Sequence, residues 1–274
     1  MATTETIAAP RATGRALGPV RSCLLVVEGH WAWYKRNWKA TAISSVGLQV
    51  FYLLAMGVGF GSQIRSTTML GGHSYLVYVA PALLAAGAVQ NAAGEGTFPV
   101  LGSFKWHKIY YAVTATPITS DQVVAGQFVW MALRMLSSGA VYLAFAAAIG
   151  AIISPGALLS LLFAVLCGMA FASPVVAYAA TVEGEGGGFN VIFRFIVVPM
   201  TLFSGTMFPI TQLPAWLRPL AWVTPLWHGT ELARGAALNT LSFWPAIGHV
   251  LYLLAMFVVG ALIARAKFRA RLAS

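Results

Sequence analysis

Six stretches of about twenty residues run with one charged side chain or none, at 40–61, 75–94, 133–153, 157–180, 189–208 and 245–264. Roughly 20 residues of helix cross a hydrocarbon core about 30 Å thick. Barrel strands would show apolar and polar positions in alternation over about ten residues, and these runs are longer and unalternated. The pattern predicts an all-α integral membrane protein with six transmembrane helices.

Ahead of the first run, Val20, Leu24, Val27, Trp31, Tyr34 and Trp38 recur at spacings of three and four, which is one face of a helix. Lys35, Arg36 and Lys39 close this segment beside Trp31, Trp33 and Trp38. Aromatic and basic residues together favour the headgroup layer, so an amphipathic interface helix is expected here. The first 18 residues lack the apolar core of a secretory signal and are expected to form a cytosolic tail. The chain thus divides into a tail and interface helix, 1–39, and a six-helix membrane domain, 40–274.

Between the fifth and sixth runs lies PITQLPAWLRPLAWVTPLWHGTELARGAALNTLSFW, too apolar for a solvated loop. Pro209, Pro214, Pro219 and Pro225 divide it into short pieces, because each lacks an amide donor. With Trp216, Trp222 and Trp227 suited to an interface, the segment predicts two short re-entrant helices.

Composition agrees: 59% of residues are hydrophobic and 9% charged, far below the roughly 25% of soluble domains. The net charge of +10 comes from basic residues beside the apolar runs, so it is topogenic, and no nucleic acid partner is expected. With the N-terminus inside, Arg11, Arg15, Arg21, Lys35, Arg36, Lys39, Lys105, Lys108, Arg265, Lys267, Arg269 and Arg271 face the cytosol; Arg65, Arg218 and Arg234 face outward. That bias puts both termini in the cytoplasm of a multi-pass protein of the cell inner (plasma) membrane.

Catalytic patterns are missing from the sequence. No GxxxxGK[ST], HExxH or GxSxG occurs, and GEGGG at 184–188 is followed by no lysine. Cys23 and Cys167 have no partner spacing, and the five histidines are scattered, so no metal site is expected. Polar residues in or beside lipid are costly and worth naming. Arg134 either snorkels from a span end or pairs within the bundle; Gln90 and Asn91 are placed for interhelical hydrogen bonds. Glu95, Glu183 and Glu185 read as loop carboxylates or as partners for basic residues, and His228, Glu231 and Arg234 share one face of an outer helix.

The stretch YLVYVAPALLAAGAVQNAAGEGTFPVLGSFKWHKIYYAVTATPITSDQVVAGQFVW (75–130) resembles the ABC-2 type permeases, and within them the nodulation-type lipo-oligosaccharide and drug exporter permeases. FSGTMFPITQLPAWLRPLAWVTPLWHGTELARG is similar to a second block of that family. The resemblance implies a permease subunit that works as a dimer, most simply of two identical copies, in contact with membrane lipid. It binds no cofactor of its own, because ATP and Mg²⁺ belong to two copies of a separate ABC ATP-binding subunit. It also implies a cytosolic coupling helix within FKWHKIYYAVTATPITSDQ (104–122). The positions expected to dock the ATPase are Tyr110, Tyr111, Thr116, Pro117 and Asp121. Trp31, Lys35, Arg36, Trp38, Lys105, Trp106, Glu95 and Glu183 are expected at the cytosolic interface. Pro209, Trp216, Pro225, His228, Glu231 and Arg234 are expected at an outer gate.

The expected function is ATP-driven export of an amphipathic cargo, a glycolipid, lipid-linked saccharide or hydrophobic drug, by alternating access. A membrane-embedded lipid-modifying enzyme would use Glu95, His107 or His228 as acid or base, but these lie on opposite faces. A proton-coupled secondary transporter would need a carboxylate within the six apolar cores, and none lies there.

Overall fold

The computed structural model describes residues 18–63 and 70–273, with no side-chain description at 40–44. The expected tail, with Arg11 and Arg15, and Arg65 lie outside the described residues. Among the described residues the chain is helical throughout and contains no strand.

Helix α1, Pro19–Tyr52, continues into a π-helical stretch, Leu53–Gly59, and a 3₁₀ turn, Phe60–Gln63. The expected interface helix and first span are therefore one uninterrupted helical run across the 39/40 boundary. The physical reason is local: no glycine or proline occurs between residues 30 and 46, and nothing else there breaks a helix. Val20, Leu24, Trp31 and Trp38 are exposed, whereas Ser22 and Val26 are buried. Most of the apolar stripe thus faces away from the bundle, though its Tyr34 packs on Trp130 of α5, and a second face, spaced by four, packs inward.

Helices α2 (Tyr75–Gly96), α3 (Phe98–Lys105) and α4 (Ile109–Thr114) follow. The break at Thr97, beside Pro99, ends α2 two residues past the expected limit. Helix α5 spans Ser120–Ala148. It begins thirteen residues before the expected start at 133, because Thr119 caps it: the Thr119 hydroxyl accepts from the Gln122 amide, and the Gln122 side chain accepts from the Thr119 amide. Helix α6, Ala157–Ala179, matches its apolar run to within a residue.

Among the described residues, five helical segments are long and apolar enough to cross a membrane: Ser45–Gln63, Tyr75–Lys105, Ser120–Ala148, Ala157–Ala179 and Phe243–Leu272. The expected fifth span, 189–208, falls short of six such segments. Its helical part is Gly187–Phe203, made of α7 (Gly187–Val191), a π-helical stretch (Ile192–Val197) and α8 (Val198–Phe203). Seventeen residues rise about 25 Å, short of a core about 30 Å thick. Past Phe203 the chain turns through Gly205, whose positive φ of 76° suits a residue without a side chain.

Helices α9 (Arg218–Trp222) and α10 (Pro225–Ala237) come next, and α11, Phe243–Leu272, runs past the expected end at 264 by eight residues. The core centres on α6, against which α2, α5, α10 and α11 all pack. Small residues permit close approach, as apolar helices in lipid require. A Cβ on Gly229 of α10 would overlap Cys167 of α6, and one on Gly87 of α2 would overlap the amide of Gln49 on α1.

Candidate functional site

Three groups of polar residues stand out, one at each end of the bundle and one in its wall. At the end carrying α3, α4 and the C-terminus of α11, the connection between α2 and α5 folds into a short helical hairpin. Tyr110 is 1% exposed. Its hydroxyl donates to Gln127 Oε1 at 3.0 Å, and its ring packs on Phe104 and Phe268. Burial pushes the phenol pKa up, so it stays a neutral donor. Expected as an exposed docking residue, Tyr110 instead pins the hairpin: a buried ring offers a partner no surface. Asp121, also expected to dock, accepts from Arg265 Nη2 and Arg269 Nε, each at 2.6 Å, and from Arg269 Nη2. Its carboxylate is committed within the chain. Tyr111, Thr116 and Pro117 remain exposed, and the Tyr111 hydroxyl donates to the Arg271 carbonyl.

Of the residues expected at the same interface, Trp31, Lys35, Arg36, Trp38, Trp106 and Glu183 are exposed. Lys105 pairs with Glu185, tying α3 to the turn after α6. The segment 22–34 lies along α5: Val26 sits against Gly126, and His30 stacks on Trp130 at 5.6 Å. Burial beside that ring lowers the His30 pKa.

Glu95 departs from the expected interface and belongs to the second group. Arg134 lies 3.1 Å from Glu95 Oε1, donates to Ser45 Oγ at 3.1 Å, and sits 4.6 Å from the Tyr34 ring centroid. Of the two readings of Arg134, pairing within the bundle is the one observed. Asn91 Nδ2 donates to Ser138 Oγ at 3.0 Å, as an interhelical bond should. Arg134, Glu95, Ser45 and Asn91 line a cavity of about 270 Å³ between α1, α2, α5 and α8, together with Gln90, Tyr52 and Thr201. On the other side of α8 lies an apolar cavity of about 490 Å³, lined by Phe171, Phe195, Phe203 and Val223 among others. Thr201 faces the first, and Pro199, Met200 and Phe203 the second, so α8 is the partition between a polar and an apolar space.

The third group lies at the opposite end. Arg234 of α10 is buried, its guanidinium 3.9 Å from the Tyr78 ring centroid; Nη2 donates to the Gly205 carbonyl at 2.7 Å, and Nη1 lies 3.5 Å from Glu231. Burial lowers its pKa, and the neighbouring Tyr78 and Glu231 oppose that shift. His228 does not join this pair. Its Nε2–H donates to the Trp222 carbonyl, leaving Nδ1 to accept from His249 Nδ1 at 2.7 Å, and its ring stacks on Tyr252 at 3.9 Å. Pro225 opens α10 in the buried first turn, Pro209 is half-buried, and Trp216 is exposed away from all three groups. His249 and Tyr252, which complete the cluster, escaped sequence reasoning because they sit on α11, over twenty residues away and inside an apolar run.

Burial, and then the nearby charge His249 would carry, push the His228 pKa down to about 4. The unfolded chain takes up this proton near 6.5, so between about 6.5 and 4 it binds more protons than the folded one. The stability held by the neutral pair is complete above about 6.5 and lost as pH falls toward 4. The melting temperature in mild detergent is expected to drop over that interval. His228→Gln should abolish most of this pH dependence; an unchanged profile would contradict the shared-proton pair.

No group of three or more His, Cys, Asp or Glu residues that could hold a metal occurs among the described residues. Comparison with known proteins gives these arrangements a context. The family described as ABC-2 type transporter matches residues 21–238. Nodulation protein J of Sinorhizobium fredii (strain NBRC 101917 / NGR234) is 28% identical over 220 residues, 76% of this chain and 82% of that protein. Nodulation protein J of Rhizobium leguminosarum bv. viciae is 27% identical over 247 residues, 87% and 93% of the two chains. The hairpin between α2 and α5, the polar cavity and the buried α10 all fall within the matched region, and the chain belongs to the ABC-2 type transporter family.

Proposed function

We propose that this chain is the membrane-spanning permease of an ATP-driven exporter for an amphipathic cargo. It would sit in the inner membrane with both termini in the cytoplasm, in contact with lipid, as one of two copies joined to two ATP-binding subunits. The observation that carries the reading is the partition at α8, with a polar cavity on one side and an apolar cavity on the other. A cargo with a polar head and an apolar tail needs both kinds of wall. In the polar cavity the Glu95 carboxylate is neutralised by Arg134, which suits an uncharged polar head better than an ion.

ATP hydrolysis falls to the partner, with its own ATP and Mg²⁺, and reaches this chain by contact. The exposed side of the α3–α4 hairpin, Trp106, Tyr111, Thr116 and Pro117, is the surface for it, since aromatic anchors dominate protein interfaces. Gly187–Phe203 would be the sixth crossing, its shortfall in length met by local thinning of the bilayer. Movement of the hairpin would open the space around α8 alternately to the two sides, with the Arg234 and His228 groups as the outer gate.

The test is affinity purification from the native host in mild detergent, with mass spectrometry of what copurifies. A stoichiometric ATP-binding subunit is expected, lost from the Trp106→Ala/Tyr111→Ala double variant while Tyr111→Phe retains it. Because both side chains are exposed, the variants should keep the wild-type melting temperature. A homo-oligomer with no ATPase and no ATP-dependent transport would sink the reading.

A further inference from the structure

Helix α11 contributes residues to the groups at both ends of the bundle. At its C-terminal end, Arg265 and Arg269 bracket Asp121 at the start of α5. Between the two arginines in the chain, Phe268 is fully buried against Phe104 and Tyr110, the rings that hold the α3–α4 hairpin. Arg271 lies over the Phe104 ring at 4.4 Å and donates to the Ala180 carbonyl at the end of α6, at 2.9 Å. At its other end, His249 bonds to His228, and Tyr252 donates to the Val223 carbonyl between α9 and α10.

Twenty residues separate His249 from Arg269 on one unbroken helix, which is about 30 Å of rise, one hydrocarbon thickness. Helices kink sharply at proline or at local breaks, and the only proline here, Pro245, lies in the first turn. The buried positions of α11, Leu253, Gly260, Ala264 and Phe268, fall on one narrow stripe. Two of the four are small, and Gly260 rides against Ser173 and Pro174 of α6. A rod held at its ends and packed closely along one stripe, where Ser173 of α6 also donates to the Met256 carbonyl, can shift lengthwise as one body, the small sliding that packed helices allow.

We infer that α11 is the strut that carries displacement of the α3–α4 hairpin to the α9–α10 segment, with Arg265 and Arg269 as the positioning residues that fasten it to α5. The inference rests on the exporter reading, in which a partner moves that hairpin. The two arginines touch neither cavity and are not part of the exposed docking side. Their pairs with Asp121 are partly exposed, and such pairs contribute little to stability. Removing them is therefore expected to leave the fold intact and to loosen only the link.

The experiment uses the full chain purified with its ATP-binding subunit. Exposed Val223 is replaced by cysteine and Cys23 by serine, with fully buried Cys167 left as an inert thiol. Labelling of the 223 thiol by a charged maleimide is timed without nucleotide and with ATP plus vanadate. A severalfold change in labelling rate is expected with the native arginines. It should vanish in Arg265→Gln/Arg269→Gln, whose ATPase still binds and hydrolyses, and return in Arg265→Lys/Arg269→Lys, which keeps the charge.

A full response in the glutamine variant would overturn the strut, as would no response in the native chain with a working ATPase. A native chain that recruits no ATPase would overturn the exporter reading instead, and the strut with it.

Discussion

Replacing Glu95 with alanine is expected to cost the folded chain about 2–3 kcal/mol. The substitution leaves Arg134 buried without its counter-charge, and breaking a fully buried pair from one side costs about 3–5 kcal/mol. The side chain of Glu95 keeps 23% of its exposure against 8% for Arg134, and Arg134 keeps Ser45 and the Tyr34 ring, so the loss falls below that range. Against a typical total of 5–15 kcal/mol it should still be obvious. Thermal unfolding in mild detergent would read it as a clear fall in midpoint. The double variant Glu95→Gln/Arg134→Met removes both charges and should recover most of the loss, because a neutral pair of similar volume carries no unpaid desolvation. Native stability in Glu95→Ala would show that water already compensates the guanidinium.

Arg234→Ala is expected to do more damage, about 4 kcal/mol, enough that little folded protein accumulates. The guanidinium supplies donors to the carbonyls of Gly205, Thr206 and Tyr78 at once while lying on the Tyr78 ring. Hydrogen bonds from a charged donor contribute about 1.5–3 kcal/mol each when their loss strands a buried acceptor, and a desolvated cation–π contact adds about 2. These terms overlap, hence the lower total. Arg234→Lys should rescue little, since a single ammonium neither forks to separate carbonyls nor stacks. Size-exclusion of the tagged variant would settle it: a monodisperse peak at native yield and melting temperature would contradict this keystone role.

Apolar run length was the most readable feature of the sequence. It placed α6 to within a residue and the start of α2 without error, because both are helices whose ends coincide with a change in polarity. It failed where helix and apolar run do not coincide. Helix α5 starts at a hydroxyl cap, and the Thr119-to-Gln122 capping signal lies in plain sight, its cap fourteen residues before the expected start. Helix α11 continues past its last apolar residues because its arginines bind partners elsewhere in the fold rather than solvent alone.

Pairing was illegible for a different reason. Asp121 meets Arg265 and Arg269 across 144 and 148 residues, and no local pattern encodes a contact of that separation. Tyr110, set among lysines and a second tyrosine, reads as a surface residue. Only Gln127, Phe104 and Phe268 closing around it reveal the interior. Arg134 carried the strongest hint of all, a charge inside an apolar run, and that hint found a site without naming its partner.

The two π-helical stretches, Leu53–Gly59 and Ile192–Val197, have a consequence for how this sequence can change over time. Turns closed by i→i+5 bonds are rare and occur mostly as single bulges in otherwise regular helices. Each holds one more residue than a regular turn, much like a past insertion that the fold absorbed. Deleting one residue from 53–59 would let the helix close as regular α turns while the later side chains keep their facing, Phe60 included, which meets the Tyr75 ring edge-on at 5.7 Å. Loss of one residue should therefore be tolerated in these stretches more readily than in the regular helices around them, where it would turn every later side chain by about 100°.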